Sequence, residues 1–129
     1  ILSLIDEAVE KTKDNTRHTL NIAFNYGGRG EIVAATQEIA RRIEAGQMKA
    51  ADVDEALISR LLWTADSPDP DLLIRTSGEL RLSNFLLWSG AYADLMFMDL
   101  WCPDFTRESL EKAIDAFRRR DRRFGGLGA

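Results

Sequence analysis

The chain has 129 residues, of which 45% are hydrophobic and 29% are charged, and its net charge is −4 at pH 7. This composition is typical of one soluble folded domain, and the apolar runs are shorter than the roughly 18 residues that a membrane span requires. The single cysteine, Cys102, and the single histidine, His18, exclude an internal disulfide and a Cys/His zinc site, while the acidic balance argues against nucleic acid as a partner.

The first third of the sequence predicts a helix, a strand and a second helix. Apolar residues recur at three- and four-residue spacing over residues 2–13, which indicates an amphipathic helix. Alternation over Leu20–Tyr26, followed by Gly27-Gly28, is typical of a strand that runs into a tight turn. The apolar positions of residues 31–46 predict a helix that ends at Gly46.

The middle of the chain predicts a short helix, a loop and a buried strand. Asp52 and Glu55 have the spacing of a capping box, so we expect a helix over residues 53–62. Two prolines make residues 63–70 a loop, because the residue before a proline avoids helical conformation. The apolar run of residues 71–76 is typical of a buried parallel strand.

The last third predicts two helical segments around another strand. Ser83-Asn84 can begin one or two helical turns that reach Trp88, and residues 95–98 have the pattern of a second buried strand. Thr106 can cap a final helix that enters the arginine-rich run of residues 118–123 and ends at Gly125-Gly126.

This order of elements predicts an α/β fold in which a parallel sheet carries helices on both faces. Strands are separated by helices, and no hairpin signal joins one strand to the next. Only three strands are predicted, and a layer of that size has bare edges and too little sheet to cover both faces. We therefore expect an incomplete portion of a larger sheet.

The glycine-rich turn Gly27-Gly28-Arg29-Gly30 at the predicted strand-to-helix junction has two interpretations, a phosphate-binding loop or a tight structural turn. Val33 stands where the dinucleotide fingerprint needs a third small residue, and no Gly-Lys-Ser/Thr follows. Glu31 also places a negative charge where a phosphate would lie. These features favour the structural turn.

A second candidate site lies at the end of the predicted strand 71–76. Arg75 would stand at the carboxyl edge of the sheet, where ligands of such folds usually bind. Arg81 and Ser83 follow closely, so two guanidinium groups and a hydroxyl could converge on a diphosphate. The alternative is that the two arginines form surface ion pairs with Glu79 and Asp71, and spacing alone leaves both interpretations open.

Four segments of the chain resemble the C-terminal half of the cis-prenyltransferases, the undecaprenyl diphosphate synthase family. The segments are Asn25-Tyr26-Gly27-Gly28-Arg29, residues 69–79, residues 81–88 and Arg122-Arg123-Phe124-Gly125-Gly126. The match extends across essentially the whole chain and keeps the spacing between motifs. It implies the fold of undecaprenyl diphosphate synthases.

The resemblance implies roles for individual residues of this sequence. Arg75, Arg81 and Ser83 would bind the diphosphate of isopentenyl diphosphate. Asp94 stands where the family has a glutamate that helps to organise magnesium and diphosphate, so Mg²⁺ is the implied cofactor and Asp94 its implied ligand, with a side chain one methylene shorter.

The resemblance also implies partners. Arg123 and Gly125 would approach the diphosphate site of the neighbouring subunit in a homodimer. The implied reaction joins isopentenyl diphosphate to an allylic diphosphate such as farnesyl diphosphate, giving a polyprenyl diphosphate for lipid-carrier synthesis. The enzyme would be cytoplasmic, with peripheral membrane association through its lipid product. The alternative is a non-catalytic accessory subunit of a heteromeric cis-prenyltransferase.

The resemblance changes the interpretation of the chain's length. The sequence begins at Ile1 without a methionine, and the family's Asp-Gly-Asn-Gly-Arg motif, with its catalytic aspartate, belongs to an N-terminal half that is absent here. We therefore expect residues 1–129 to be the C-terminal half of one domain. It contains no catalytic residue of its own, and the isolated chain should be inactive.

Overall fold

In the part of the chain that the structure describes, three helices precede two short parallel strands, and a fourth helix follows them. The computed structural model describes residues 2–120. Its elements in chain order are α1 (Leu2–Thr12), α2 (Gly28–Glu44), α3 (Glu55–Leu61), β1 (Leu72–Arg75), β2 (Asp94–Phe97) and α4 (Arg107–Arg118), with single 3-10 turns at Ala50–Asp52 and Cys102–Asp104. The predicted α/β fold with a parallel sheet is confirmed.

The two strands pair in parallel. Leu72 lies opposite Asp94, and Arg75 lies opposite Phe97. Both strands were predicted to within a residue or two of their bounds, because each is a short apolar run bounded by polar residues. Since parallel strands bring their carboxyl ends to one edge, the loops that follow Arg75 and Phe97 leave the sheet side by side.

The third predicted strand, Leu20–Tyr26, is wrong for this structure. None of its residues joins a ladder with another described strand. The side chains of Leu20, Ile22 and Phe24, which would share one face of that strand, are all strongly exposed. A strand forms only where a neighbour accepts and donates its backbone hydrogen bonds, and the described chain provides no such neighbour for this segment.

Helix α1 and the segment after it lie apart from the interior. Every side chain from Ser3 to Asn25 is exposed. A hydrogen bond of 2.7 Å from Asn21 Nδ2 to Ser67 Oγ links this segment to the loop that precedes β1. The exposed side chains of this segment include six large apolar ones, those of Leu4, Ile5, Val9, Leu20, Ile22 and Phe24.

The predicted N-terminal cap is confirmed for α4 and is wrong for α3. Thr106 caps α4 as predicted, and its hydroxyl accepts a hydrogen bond from the backbone N–H of Ser109. The predicted capping residue of α3, Asp52, is two residues too early. Asp54 caps α3 by accepting from Leu57 N at 2.7 Å, whereas the Asp52 carboxylate accepts from the backbone N–H of Lys49 and closes the 3-10 turn.

The helical turns predicted from Ser83 to Trp88 do not form. The backbone φ angles of Ser83, Asn84 and Leu86 are 50°, 66° and 46°, in the left-handed region that a right-handed helix excludes. The segment is instead a succession of turns, closed in part by a hydrogen bond of 2.8 Å from Gly90 N to Leu86 O.

The buried apolar core of the described residues is small. It consists of Ala35 and Ile39 of α2, Leu62 after α3, and Ala113 of α4. The largest fully buried side chain is a charged one, that of Glu31 in the first turn of α2. None of the described helices has the length and apolarity needed to cross a membrane.

Candidate diphosphate site

Arg75 ends β1 at the carboxyl edge of the sheet, and a tight loop follows it. Ser77 and Gly78 both have positive φ angles, 69° and 64°. The loop is fixed to the chain after β2, because Ser77 N donates to Leu100 O at 2.7 Å and Gly78 N donates to Met98 O at 3.1 Å. The left-handed conformation at position 78 is one that glycine adopts without steric cost.

The side chain of Arg75 is a candidate to bind an anion. Residues 72–77 are half-buried, and Arg75 takes no part in the ion pairs formed within residues 2–120. A half-buried arginine without a carboxylate partner at a sheet edge is suited to bind an anion, since its fork donates to two oxygens at once. The surface ion-pair alternative therefore fails for Arg75 within the described residues.

Arg81 behaves differently. Its guanidinium Nη2 forms an ion pair with Glu79 Oε2, and its side chain is 68% exposed. The ion-pair alternative thus holds for Arg81 in this structure, and a bound diphosphate would compete with Glu79. Ser83 is exposed beside it, two residues further along the same loop.

The ion pair between Arg81 and Glu79 should lower the affinity of the site for inorganic pyrophosphate. Glu79→Gln removes the competing carboxylate and the negative charge, so we expect inorganic pyrophosphate to bind about two- to five-fold more tightly at low salt, the range set by an exposed ion pair of up to about 1 kcal/mol. Isothermal titration calorimetry measures the affinity. Glu108→Gln is the matched control, since Glu108 forms an exposed ion pair with Lys112 on α4. A weaker affinity in Glu79→Gln would contradict this competition.

Asn84 joins the site loop to the start of α2. Its backbone carbonyl accepts from Gly28 N at 2.7 Å, and its Oδ1 accepts from Arg29 N at 2.8 Å. Gly28 permits this contact, because a Cβ at that position would lie 2.9 Å from the backbone nitrogen of Leu87. The loop that carries Arg81 and Ser83 is thereby fixed to a helix end.

The same contacts decide between the two interpretations of the glycine-rich turn. Asn84 accepts from the first two backbone N–H groups of α2, and the next two, those of Gly30 and Glu31, donate to Gly27 O at 2.9 and 3.2 Å. The N–H groups that a phosphate would need at this helix terminus are already bonded. The turn is structural, as its sequence favours.

A buried carboxylate lies behind this turn. Glu31 is fully buried, and its two oxygens accept hydrogen bonds from the hydroxyl groups of Tyr26 and Thr64, the latter at 3.2 Å. The Tyr26 ring packs edge-on against Trp63 and Phe85. Burial, reinforced by the hydrogen bond to Glu31 and by its negative charge, raises the pKa of the Tyr26 phenol far above its usual value.

The sequence identified neither Asn84 nor Glu31 as a residue that shapes the site. Asn84 contacts Arg29 across 55 positions of the chain, and Thr64 contacts Glu31 across 33. Spacing rules describe partners within a few residues, so they contain no signal for such pairs. An acid in the first turn of α2 is itself unremarkable, because the helix dipole favours one there.

Asp94 lies at the other end of the sheet from Arg75. It is the first residue of β2 and pairs with Leu72, so three residues, roughly 10 Å of strand, separate its level from that of Arg75. Asp94 Oδ1 is 3.4 Å from Arg120 Nη1, and its other oxygen, Oδ2, is buried and has no hydrogen-bond partner among residues 2–120. The structure does not bring Asp94 and Arg75 together.

The free oxygen of Asp94 suits one position in a magnesium coordination shell, since Mg²⁺ prefers carboxylate oxygens. Within residues 2–120, however, no cluster of three or more His, Cys, Asp or Glu side chains is placed to hold a metal ion. Asp94 can therefore supply one ligand, and the others would come from phosphate oxygens, water or another polypeptide. The two remaining predicted site residues, Arg123 and Gly125, lie outside the described residues.

Comparison with known proteins identifies the relatives of this chain. The family model of undecaprenyl diphosphate synthase matches residues 1–125. An isoprenyl transferase of Geobacillus kaustophilus is 53% identical over 125 residues, which are 97% of this chain and 49% of that protein. Isoprenyl transferase 2 of Bradyrhizobium diazoefficiens is 52% identical over 129 residues, all of this chain and 51% of that protein.

Solved structures agree with the sequence relatives. Lavandulyl diphosphate synthase from Lavandula x intermedia, in complex with dimethylallyl diphosphate, superposes with a TM-score of 0.91 at 38% identity, over 96% of this chain and 53% of that one. A probable undecaprenyl diphosphate synthase from Campylobacter jejuni superposes with a TM-score of 0.77 at 34% identity, over 95% and 55%. The chain spans about half the length of the curated relatives it matches. It belongs to the undecaprenyl diphosphate synthase family.

Proposed function

We propose that this chain is the isopentenyl-diphosphate-binding half of a cis-prenyltransferase. The observation that supports the proposal is Arg75 at the carboxyl edge of the sheet, which has no ion-pair partner within residues 2–120 and lies beside a loop that presents Arg81 and Ser83. Two guanidinium groups and a hydroxyl match the charge and the hydrogen-bonding capacity of a diphosphate.

The proposed reaction joins isopentenyl diphosphate to an allylic diphosphate such as farnesyl diphosphate. The double bond of isopentenyl diphosphate attacks the allylic carbon, the carbon–oxygen bond to the allylic diphosphate breaks, and a proton leaves to form the new cis double bond. Arg75, Arg81 and Ser83 hold the diphosphate that stays on the nucleophile, so they orient its double bond towards the allylic carbon. The product is a polyprenyl diphosphate for lipid-carrier synthesis.

Magnesium belongs to the same proposal. When bound, Mg²⁺ stabilises the negative charge that develops on the departing diphosphate. Asp94 would contribute its buried Oδ2, which has no hydrogen-bond partner in the part of the chain that the structure describes. Because Asp94 and Arg75 lie at opposite ends of the sheet, they act on different groups of the complete site.

The proposed assembly is a homodimer in the cytoplasm, with Arg123 and Gly125 near the neighbouring subunit's diphosphate and peripheral membrane association through the lipid product. Activity would require the N-terminal half of the domain, so the 129-residue chain alone should not incorporate isopentenyl diphosphate. The presence of Arg75, Arg81 and Ser83 favours an enzyme over a non-catalytic accessory subunit, which has less need for substrate-binding side chains.

The test is binding of isopentenyl diphosphate to the 129-residue chain, measured by isothermal titration calorimetry. Arg75→Ala should weaken binding about 10- to 150-fold, because a hydrogen bond to a charged group is worth about 1.5–3 kcal/mol. Arg107→Ala is the control, since Arg107 is an exposed arginine at the start of α4 that pairs with Glu111. Equal affinity of Arg75→Ala and Arg107→Ala would show that Arg75 does not bind the diphosphate.

A further inference from the structure

Arg120 follows α4 and contacts the first two residues of β2. Its guanidinium Nη1 donates to the backbone carbonyl of Leu95 at 3.1 Å and lies 3.4 Å from Asp94 Oδ1. These contacts place a positive charge directly beside the carboxylate that the proposed function assigns to magnesium. Because charges at such short distances interact strongly, Arg120 must affect the binding of any cation to Asp94.

Backbone hydrogen bonds hold both members of this ion pair in place. Asp94 is fixed in the sheet, because its N–H donates to Asp71 O at 2.9 Å and its Cα lies opposite that of Leu72. Arg120 is held by Leu95 O, which is the nearer of its two partners. The longer contact, the one to the Asp94 carboxylate, can therefore change while Arg120 stays bound to β2.

A guanidinium group beside the carboxylate disfavours a free divalent cation. Such a cation is attracted by Asp94 and repelled by Arg120, and the two effects oppose each other because the ion pair has no net charge. Within residues 2–120, no cluster of three or more His, Cys, Asp or Glu side chains compensates for the repulsion. Asp94 should therefore bind Mg²⁺ or Mn²⁺ weakly when the ion arrives alone.

The same ion pair favours a divalent cation that is already bound to diphosphate. Such a complex has a net negative charge at neutral pH, so its phosphate oxygens are attracted by Arg120 while its metal is attracted by Asp94. Both hydrogen bonds that Arg120 forms with residues 2–120 use Nη1. Its Nε and Nη2 groups can therefore donate to phosphate oxygens.

We propose that Arg120 is a specificity-determining residue, which makes Asp94 select a divalent cation bound to diphosphate over the free cation. The proposal rests on the proposed function, in which Asp94 is a magnesium ligand. A site with this selectivity takes up metal and diphosphate together, so the free cation does not occupy Asp94 first. A purely structural Arg120 would only join the end of α4 to β2, and its loss would lower the affinity for both forms of the cation.

The experiment uses Mn²⁺ in place of Mg²⁺, because Mn²⁺ broadens the NMR signals of nearby amides. The isotope-labelled 129-residue chain is titrated with manganese chloride alone and with manganese chloride plus an equal amount of inorganic pyrophosphate. Broadening of the Leu95 amide signal reports both affinities, and the part that Asp94→Asn removes is the binding that depends on Asp94.

The two affinities should change in opposite directions when the charge of Arg120 is removed. In about 0.1 M salt, Arg120→Gln should bind free Mn²⁺ about three- to ten-fold more tightly, because the repulsion is lost. It should bind Mn²⁺–pyrophosphate at least about five-fold more weakly, because a charged hydrogen-bond donor to the phosphate is lost. Arg119→Gln is the matched control. It removes the same charge from an exposed arginine one residue earlier and should change neither affinity by more than about two-fold.

The signs of these changes decide the outcome. A loss of both affinities in Arg120→Gln, or no change in either, would overturn the selectivity and leave Arg120 a structural role at most. Arg120→Lys keeps the charge, so tighter binding of free Mn²⁺ by this variant would also overturn it. Asp94→Asn separates the inference from the proposed function. If that variant removed none of the broadening, Asp94 would not be a metal ligand and both would fail, whereas failure of the Arg120 variants alone leaves the magnesium proposal in place.

Discussion

Replacing Glu31 with alanine should lower the free energy of unfolding of this chain by about 2–5 kcal/mol. The substitution removes the acceptor of two hydroxyl donors, those of Tyr26 and Thr64, and each buried donor left without a partner costs about 1–3 kcal/mol. Glu31 is fully buried, so water does not replace the lost carboxylate without a rearrangement of α2. Urea unfolding followed by tryptophan fluorescence measures the change.

Two variants separate the hydrogen bonds from the general effect of substituting an acid in α2. Glu31→Gln keeps the shape of the side chain and one carbonyl acceptor, so it should lower the free energy of unfolding by less than Glu31→Ala does. Glu44→Ala removes an exposed carboxylate from the end of the same helix and should change stability by less than about 0.5 kcal/mol. If Glu31→Ala were no more destabilising than Glu44→Ala, the carboxylate would not be a structural anchor.

Glu31 also supports the loop of the candidate diphosphate site, through Tyr26. Tyr26, which donates to Glu31, packs its ring against Phe85 at a centroid distance of 5.7 Å. Phe85 belongs to the loop that carries Arg81 and Ser83. A stability effect at Glu31 should therefore be accompanied by weaker diphosphate binding, although Glu31 itself is too deeply buried to contact a ligand.

Short-range features of this fold could be predicted from the sequence. The Thr106 cap and the positions of β1 and β2 along the chain are local features of the sequence, and they are confirmed. The family was identified correctly from its motifs. The cap of α3 was misplaced by two residues because Asp52 and Asp54 are both good capping residues, and only the path of the chain through the 3-10 turn decides between them.

Features that depend on partners far along the chain could not be predicted. Leu20–Tyr26 has the alternation of a strand, but strand formation requires a neighbouring strand that the described chain does not provide. The turns from Ser83 to Leu86 place non-glycine residues in the left-handed region, a conformation enforced by contacts with α2 and contrary to local preference. Asn84, which makes those contacts, is one of several polar residues in its segment and is not distinguished by sequence alone.

Replacing Gly28 with alanine adds a single carbon atom at the contact between Asn84 and the start of α2, and it should destabilise the fold substantially. Gly28→Ala would put a Cβ 2.9 Å from both the backbone nitrogen and Cγ of Leu87, closer than real contacts allow. The helix end and the loop must then separate, and the hydrogen bonds from Gly28 N and Arg29 N to Asn84 lengthen or break. Overpacking and the loss of these bonds should together lower stability by about 2–4 kcal/mol.

Gly28→Ala should also weaken the binding of isopentenyl diphosphate by at least about ten-fold. Ser83 immediately precedes Asn84, and a misplaced hydrogen-bonding group lowers the binding free energy by about 1.5 kcal/mol or more. Gly46→Ala is the control. Gly46 has a φ of 68° with open space around it, so alanine there costs roughly 1–2 kcal/mol of backbone strain far from the site. Isothermal titration calorimetry should show that Gly46→Ala leaves the affinity for isopentenyl diphosphate unchanged. Urea unfolding should show that the same variant is measurably less stable. Destabilisation of Gly28→Ala with unchanged affinity would mean that the loop keeps its diphosphate-binding geometry without the helix, and that Asn84 anchors the fold alone.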